Sequence, residues 1–197
     1  MAFPSYKNLN LVAVSKDIQT YWENALTFEA SVSTREGRPP YIFFEGPPSA
    51  NGLPGIHHVM GRAIKDIFCR YKTQKGFQVK RKAGWDTHGL PIELGVEKEL
   101  GISKEDIGTT ISVDQYNAAC REAVMRYTDV WSDLTKKMGY WVDMDEAYIT
   151  YNSKYMESVW WLLKQLYDKN LIYKGYTIQP YSPKAGTGLS SHELNQP

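Results

Sequence analysis

An α/β fold built on a parallel sheet is predicted by three features of this 197-residue sequence. Tyr41-Ile42-Phe43-Phe44 is a continuous apolar run between Pro39-Pro40 and Gly46, the pattern of a strand covered on both faces. The next ten residues, Gly46 to Gly55, hold three glycines and three prolines, so regular structure cannot continue through them. The apolar period then becomes three and four, through Ile56, Val59, Met60, Ile64, Ile67 and Phe68, which predicts a helix stopping at Gly76. Phe77 to Lys82 alternates weakly as a second strand. Strand, glycine loop, helix, strand is the opening of a parallel α/β unit, whose ligands sit at the carboxyl ends of its strands.

The remaining elements follow from local signals. Ser15-Lys16-Asp17-Ile18 opens a short helix with its acid near the positive end of the dipole and Ile18, Tyr21, Trp22 and Ala25 on its apolar face. It ends before Arg35-Glu36-Gly37-Arg38. The second strand runs into a loop, Gly84-Trp85-Asp86-Thr87-His88-Gly89-Leu90-Pro91-Ile92-Glu93, at the same edge as the first loop. Ser112-Val113-Asp114-Gln115 reads as a capping box for one helix continuing to Gly139. A further helix spans about Ser153 to Asn170, and the apolar stripes of both read as core. Tyr173 to Pro197 reads as a strand entering a polar loop. Two or three strands are visible, fewer than two βαβαβ halves require, so the sheet reads as half of a doubly wound one.

Composition narrows the function. Lysine and arginine number 23 against 22 acids, a balance that excludes a polybasic membrane anchor or a dedicated nucleic-acid arm. The two cysteines, Cys69 and Cys120, are too few for a disulfide scaffold or a cysteine zinc site, which fits a reducing, cytoplasmic setting. No apolar run approaches the roughly 18 residues of a membrane span, so no membrane partner is expected. His192-Glu193 lacks the second histidine of H-E-x-x-H, so a metalloprotease site is not expected.

Two loops hold the candidate chemistry. The first feeds a helix start, where unpaired N–H groups and the dipole favour a phosphate, and His57 and His58 in that first turn can donate to phosphoryl oxygens. A glycine-rich turn with two ordinary histidines is the plain alternative, because neither G-x-x-x-x-G-K-[ST] nor G-x-G-x-x-G is present; Gly186-Thr187-Gly188 reads as a turn. In the second loop, Asp86 at a strand exit can pair with a substrate ammonium beside the wall of Trp85, with His88 nearby; an ordinary Asx-turn is the alternative. Lys65, Arg70, Lys72, Lys75, Lys80, Arg81 and Lys82, opposed by Asp66, read as a solvated basic face.

Glu45-Gly46-Pro47-Pro48-Ser49-Ala50-Asn51-Gly52 and Gly84-Trp85-Asp86-Thr87-His88-Gly89-Leu90-Pro91-Ile92-Glu93 closely resemble signature blocks of the isoleucyl-tRNA synthetases, a class I aminoacyl-tRNA synthetase family. The likeness continues through Tyr181-Ser182-Pro183 and Gly186 to Glu193, so it covers nearly the whole chain. It implies the first half of a Rossmann-type class I synthetase nucleotide-binding fold with helical flanks, truncated at the start of the editing insertion. Residues 1–38 would be an amino-terminal helical extension, 39–172 the first half of the catalytic domain, and 173–197 the entry to the connective-peptide editing insertion.

The resemblance also implies roles. Gly46, Pro47 and Pro48 would line the amino-acid side-chain pocket, Asp86 would hold the ammonium with Trp85 and His88 beside it, and Asn51, Gly52, Gly55, His57 and His58 would meet ATP. The family's His-x-Gly-His motif falls on Gly55-Ile56-His57-His58, so the final histidine is kept and the first and third positions have changed. His58 is expected to keep the phosphate role and His57 an altered one, since adjacent helical side chains point about 100° apart. The implied reaction activates isoleucine with ATP and magnesium and passes it to tRNA(Ile); the parent would be monomeric, and this fragment inactive alone and free of zinc. A non-catalytic nucleotide- or RNA-binding module is the alternative.

Overall fold

The computed structural model describes residue 5, residues 8–184, residues 186–191 and residue 194. His192-Glu193 lies outside them. The chain divides into residues 1–156 and 157–197.

The first unit holds a three-stranded parallel sheet in the order β1 (Pro40–Phe44), β2 (Gln78–Trp85), β3 (Asp143–Ile149). Helices α1 (Leu11–Asn24) and α2 (Thr27–Ser33) precede it, α3 (Ile56–Gln74) joins β1 to β2, and α4 (Leu90–Leu100), α5 (Val113–Val124) and α6 (Thr128–Lys137) join β2 to β3. Because every strand runs the same way, all three carboxyl ends lie on one edge.

The expected α/β architecture with a parallel sheet is present, and several local expectations are corrected. The first helix starts at Leu11, capped by Asn10, whose side chain accepts from the Ala13 N–H at 3.1 Å. It breaks at Leu26, which adopts φ +45°, so two helices stand where one was expected. The helix expected from Ser112 to Gly139 is also two. Between α5 and α6 the chain leaves helical geometry so that the Tyr127 N–H can donate to the Ala50 carbonyl at 3.0 Å. β2 extends to Trp85, three residues past its expected end.

β3 was not foreseen. It begins Asp143-Met144-Asp145-Glu146, with no apolar alternation, and pairs with β2 across an irregularity between Lys82 and Gly84. Asp143 Oδ1 accepts from the backbone N–H groups of Asp145 and Glu146 there. β1 is an edge strand, with Ile42 65% and Phe44 61% exposed, rather than a strand covered on both faces. The apolar stripe of α3 likewise faces outward at Met60, Ile64, Ile67 and Phe68, while its buried residues are Arg62, Cys69 and Thr73.

Trp131 is the largest fully buried side chain and packs with Ala50 and Trp85 in one cluster; Ala83, Tyr140 and Val142 form a second. The basic residues are not simply a solvated face. Lys65 pairs with Glu45, Arg70 and Arg81 pair with Asp66, and Arg81 is buried.

The second unit contains most of α7 (Ser153–Asp168), whose Trp160, Trp161, Leu163 and Tyr167 are exposed instead of forming core. The strand expected from Tyr173 is absent: residues 171–180 have no regular structure. A short antiparallel pair follows, β4 (Tyr181–Ser182) with β5 (Thr187–Gly188), turned through Gly186 at φ +63°.

Candidate functional site at the strand ends

The two loops singled out from the sequence leave adjacent parallel strands and meet. The Asp86 N–H donates to the Pro48 carbonyl at 2.9 Å, joining the segment after β1 to the segment after β2 by their backbones. The glycine- and proline-rich stretch makes few hydrogen bonds to itself, so neighbours satisfy its carbonyls. Tyr127 N–H reaches Ala50, and Trp131 Nε1 donates to Gly52 at 2.9 Å. Ser49 Oγ donates to Asn51 Oδ1 at 2.9 Å within the loop. Trp85, 6% exposed, packs with Ala50 and Trp131 beneath the loop instead of standing free.

Gly55 is the N-cap of α3 and bears no side chain, so another group must satisfy its amide. His58 does this, its Nδ1 accepting from the Gly55 N–H at 2.9 Å. That bond requires an unprotonated Nδ1, which places the proton of the neutral ring on Nε2. Burial, the neighbouring His57 and Arg62 all push the His58 pKa down, so the ring is neutral at pH 7. The edge of His58 meets Trp131 at 4.7 Å between centroids.

His57 does not point 100° away from His58 in effect: the two rings lie 3.8 Å apart, tilted by 42°. Its ring folds back over Gly55, where an added Cβ would meet it at 2.9 Å. A side chain at position 55 would therefore displace the His57 ring from this position.

Asp86 is half-buried, and the His88 N–H approaches its Oδ1 at 3.5 Å. Exposed His88 is oriented by a residue of neither loop: its Nδ1 lies 3.0 Å from Thr150 Oγ1, which also accepts from the Thr87 N–H at 3.0 Å. Gly46 is exposed and its carbonyl accepts from Lys65 Nζ at 3.4 Å; Pro47 and Pro48 are half-buried.

The sequence reading missed the polar cluster beneath these loops. Glu45, 2% exposed, receives Lys65 Nζ on Oε1 at 2.6 Å and the Tyr140 hydroxyl on Oε2. Arg62 is buried beside it, donates to Thr135 Oγ1 at 2.6 Å and lies over the Trp131 ring. Burial pushes the Arg62 pKa down, and the charge of Glu45 opposes that shift. The signal for Glu45 was an acid directly after an apolar strand, followed by cations at the seventh and tenth positions of the next helix, Arg62 and Lys65. A cavity of about 390 Å³ beside α2, lined by Ser31, Arg35, Arg70 and Trp141 among others, contains none of the predicted site residues. Among the described residues no three His, Cys, Asp or Glu side chains come together as a metal site, and no helix is long and apolar enough to cross a membrane.

Comparison with known proteins gives a consistent result. The family profile described as "tRNA synthetases class I (I, L, M and V)" matches residues 17–197. An isoleucine–tRNA ligase of Bacteroides fragilis is 69% identical over 195 residues, covering 99% of this chain and 17% of the relative. One from Bacteroides thetaiotaomicron is 68% identical with the same coverage. The chain thus spans about one sixth of the length of these relatives. A solved LeuRS–tRNA–LeuAMS ternary complex of Agrobacterium radiobacter K84 agnB2 matches with TM-score 0.59 at 21% identity, over 90% of this chain and 20% of that one, a likeness of fold. With the profile spanning nearly all of it and both loop blocks at one edge of a parallel sheet, this chain belongs to the class I tRNA synthetases (I, L, M and V).

Proposed function

We propose that these residues form the first half of the catalytic domain of an isoleucine–tRNA ligase, a cytoplasmic, monomeric enzyme that activates isoleucine with ATP and then charges tRNA(Ile). The observation that supports this most is the Asp86–Pro48 backbone bond, which joins the segment carrying Asp86 to the loop that leads into α3. We keep the functional division 1–38, 39–172 and 173–197.

In the first step a carboxylate oxygen of isoleucine attacks the α-phosphorus of ATP, and the bond to pyrophosphate breaks. Asp86 holds the ammonium, while Gly46, Pro47 and Pro48 border the side chain, with Trp85 supporting the loop from below and His88 at its rim. His58 donates from Nε2–H to phosphate oxygens, because its Nδ1 is engaged by Gly55. The α3 N-terminus at Gly55, with Asn51 and Gly52, frames the same phosphates, and His57 stiffens His58 by ring contact. Magnesium accompanies the ATP phosphates, with no ligand assigned from this chain. In the second step a ribose hydroxyl at the tRNA end takes the aminoacyl group and AMP leaves. Valine differs from isoleucine by one methylene, which an apolar pocket discriminates only modestly.

Isoleucine-dependent ATP–pyrophosphate exchange in the full-length enzyme tests this. Asp86→Ala is expected to raise KM for isoleucine and lower kcat/KM by at least about a hundredfold, the cost of leaving an ammonium unpaired. His58→Ala is expected to lower kcat about a hundredfold or more. Unchanged exchange in both variants would refute the assignment.

A further inference from the structure

Tyr148 belongs to neither loop, lies on the strand the sequence did not reveal, and touches both. Its register partner on β2 is Gly84, and a Cβ at Gly84 would come far closer to the Tyr148 ring than contact allows. Glycine at 84 is thus a packing requirement: the ring lies flat against the exit of β2, one residue before Trp85 and two before Asp86. The other face of the ring is held by Tyr155, nearly parallel to it with centroids 5.4 Å apart, and Phe44 meets it edge-on at 6.4 Å. At its far end the hydroxyl donates to the Glu45 carbonyl at 2.5 Å. That carbonyl belongs to the peptide leading into Gly46-Pro47-Pro48. Burial, with Tyr155, Glu45 and Asp86 facing it, pushes the phenol pKa up, so the hydroxyl remains a donor at neutral pH.

We propose that Tyr148 is a positioning residue for isoleucine: its ring sets the β2 exit at Gly84 and its hydroxyl sets the Glu45–Gly46 peptide, fixing the spacing between Asp86 and the Gly46–Pro48 segment. This rests on the function proposed above. The start of α3 is held by groups that Tyr148 does not touch: Trp131 donates from Nε1 to the Gly52 carbonyl at 2.9 Å and meets the His58 ring edge-on. Loss of the Tyr148 hydroxyl therefore loosens amino-acid binding and leaves the phosphate side in place.

The test uses the full-length enzyme with Tyr148→Phe, which keeps the ring and removes one hydrogen bond. KM for isoleucine is expected to rise about five- to tenfold, as for one lost neutral hydrogen bond, with kcat and KM for ATP within about twofold of the unaltered enzyme. Amide exchange of residues 45–52 is expected to accelerate while that of residues 57–74 does not. Gly84→Ala, which displaces the ring, is expected to shift KM in the same direction, and the double variant to add little to the larger single effect. An isoleucine KM within twofold of normal in Tyr148→Phe, or equal losses in kcat and both KM values with a lowered thermal midpoint, would overturn the inference. If the unaltered enzyme shows no isoleucine-dependent exchange, the proposed function fails, and the amide-exchange pattern alone still decides whether Tyr148 fixes the loop.

Discussion

Two partly buried ion clusters sit against α3, made from the same few residue types, and they do different work. At the strand ends, Glu45 receives Lys65 and Tyr140 with Arg62 beside it, so one carboxylate after β1 answers groups from α3 and from the chain entering β3. One residue beyond Lys65 on α3, Asp66 receives Arg70 at 2.6 Å and Arg81 at 2.9 Å, and the two guanidinium groups lie near Trp141, with Arg70 also over Trp22. The second cluster ties α1 and the sheet to α3 through aromatic faces as well as charge. The first gathers around an acid that is itself buried, at the entry to the site. Each cluster hangs on one acid, and the cations are the redundant part: Asp66 keeps a cation when either arginine is lost, whereas removal of Glu45 leaves the buried Arg62 without its neighbouring carboxylate.

Glu45→Ala should therefore have the largest effect, destabilising by about 3–5 kcal/mol as expected when a buried pair loses one partner. A urea-unfolding midpoint that barely moves would end the contrast at once. Arg81→Leu should cost less, about 1–3 kcal/mol, since Asp66 retains Arg70 and the buried, unpartnered Nε of Arg81 is removed with the charge. Equal costs for the two variants would show that redundancy is not what separates them.

A subtler distinction concerns pH. His58, at the site end of α3, has its pKa lowered from 6.5 by burial first and by His57 and Arg62 after it. The unfolded chain binds the proton more readily, so this group's contribution is complete above pH 6.5 and is lost as pH falls through the lower folded value. The His58 ring signals in an NMR titration should have a midpoint below 6.5, and protonation should release the Gly55 N–H. The smallest effect is expected at the exposed Arg126–Glu99 pair: despite two hydrogen bonds, at 2.5 and 2.8 Å, Arg126→Ala should leave the unfolding midpoint unchanged.

Much of this was legible in the residues. Strand β1, the loop after it and α3 were readable because each has a local cause: an apolar run, a density of glycine and proline, and a period of three and four. The places of Asp86 at a strand exit and of His58 in a first helical turn were readable because both elements have local signals. β3 was not, because its first four residues are polar or irregularly placed and it is held by pairing with β2. The breaks at Leu26 and at Met125–Tyr127 were hidden for a similar reason. The second exists to let Tyr127 and Trp131 satisfy the loop carbonyls of Ala50 and Gly52, partners more than seventy residues away.

Taken alone, the amino-acid order determined the parallel α/β class, the two loops and the family, since these depend on residues close together in the chain. Tertiary structure decided that the His57 ring folds over Gly55, that Glu45 is a buried hub, and that Tyr148 requires glycine at 84. Those facts depend on which groups share a buried space, and burial is settled by the packing of distant segments.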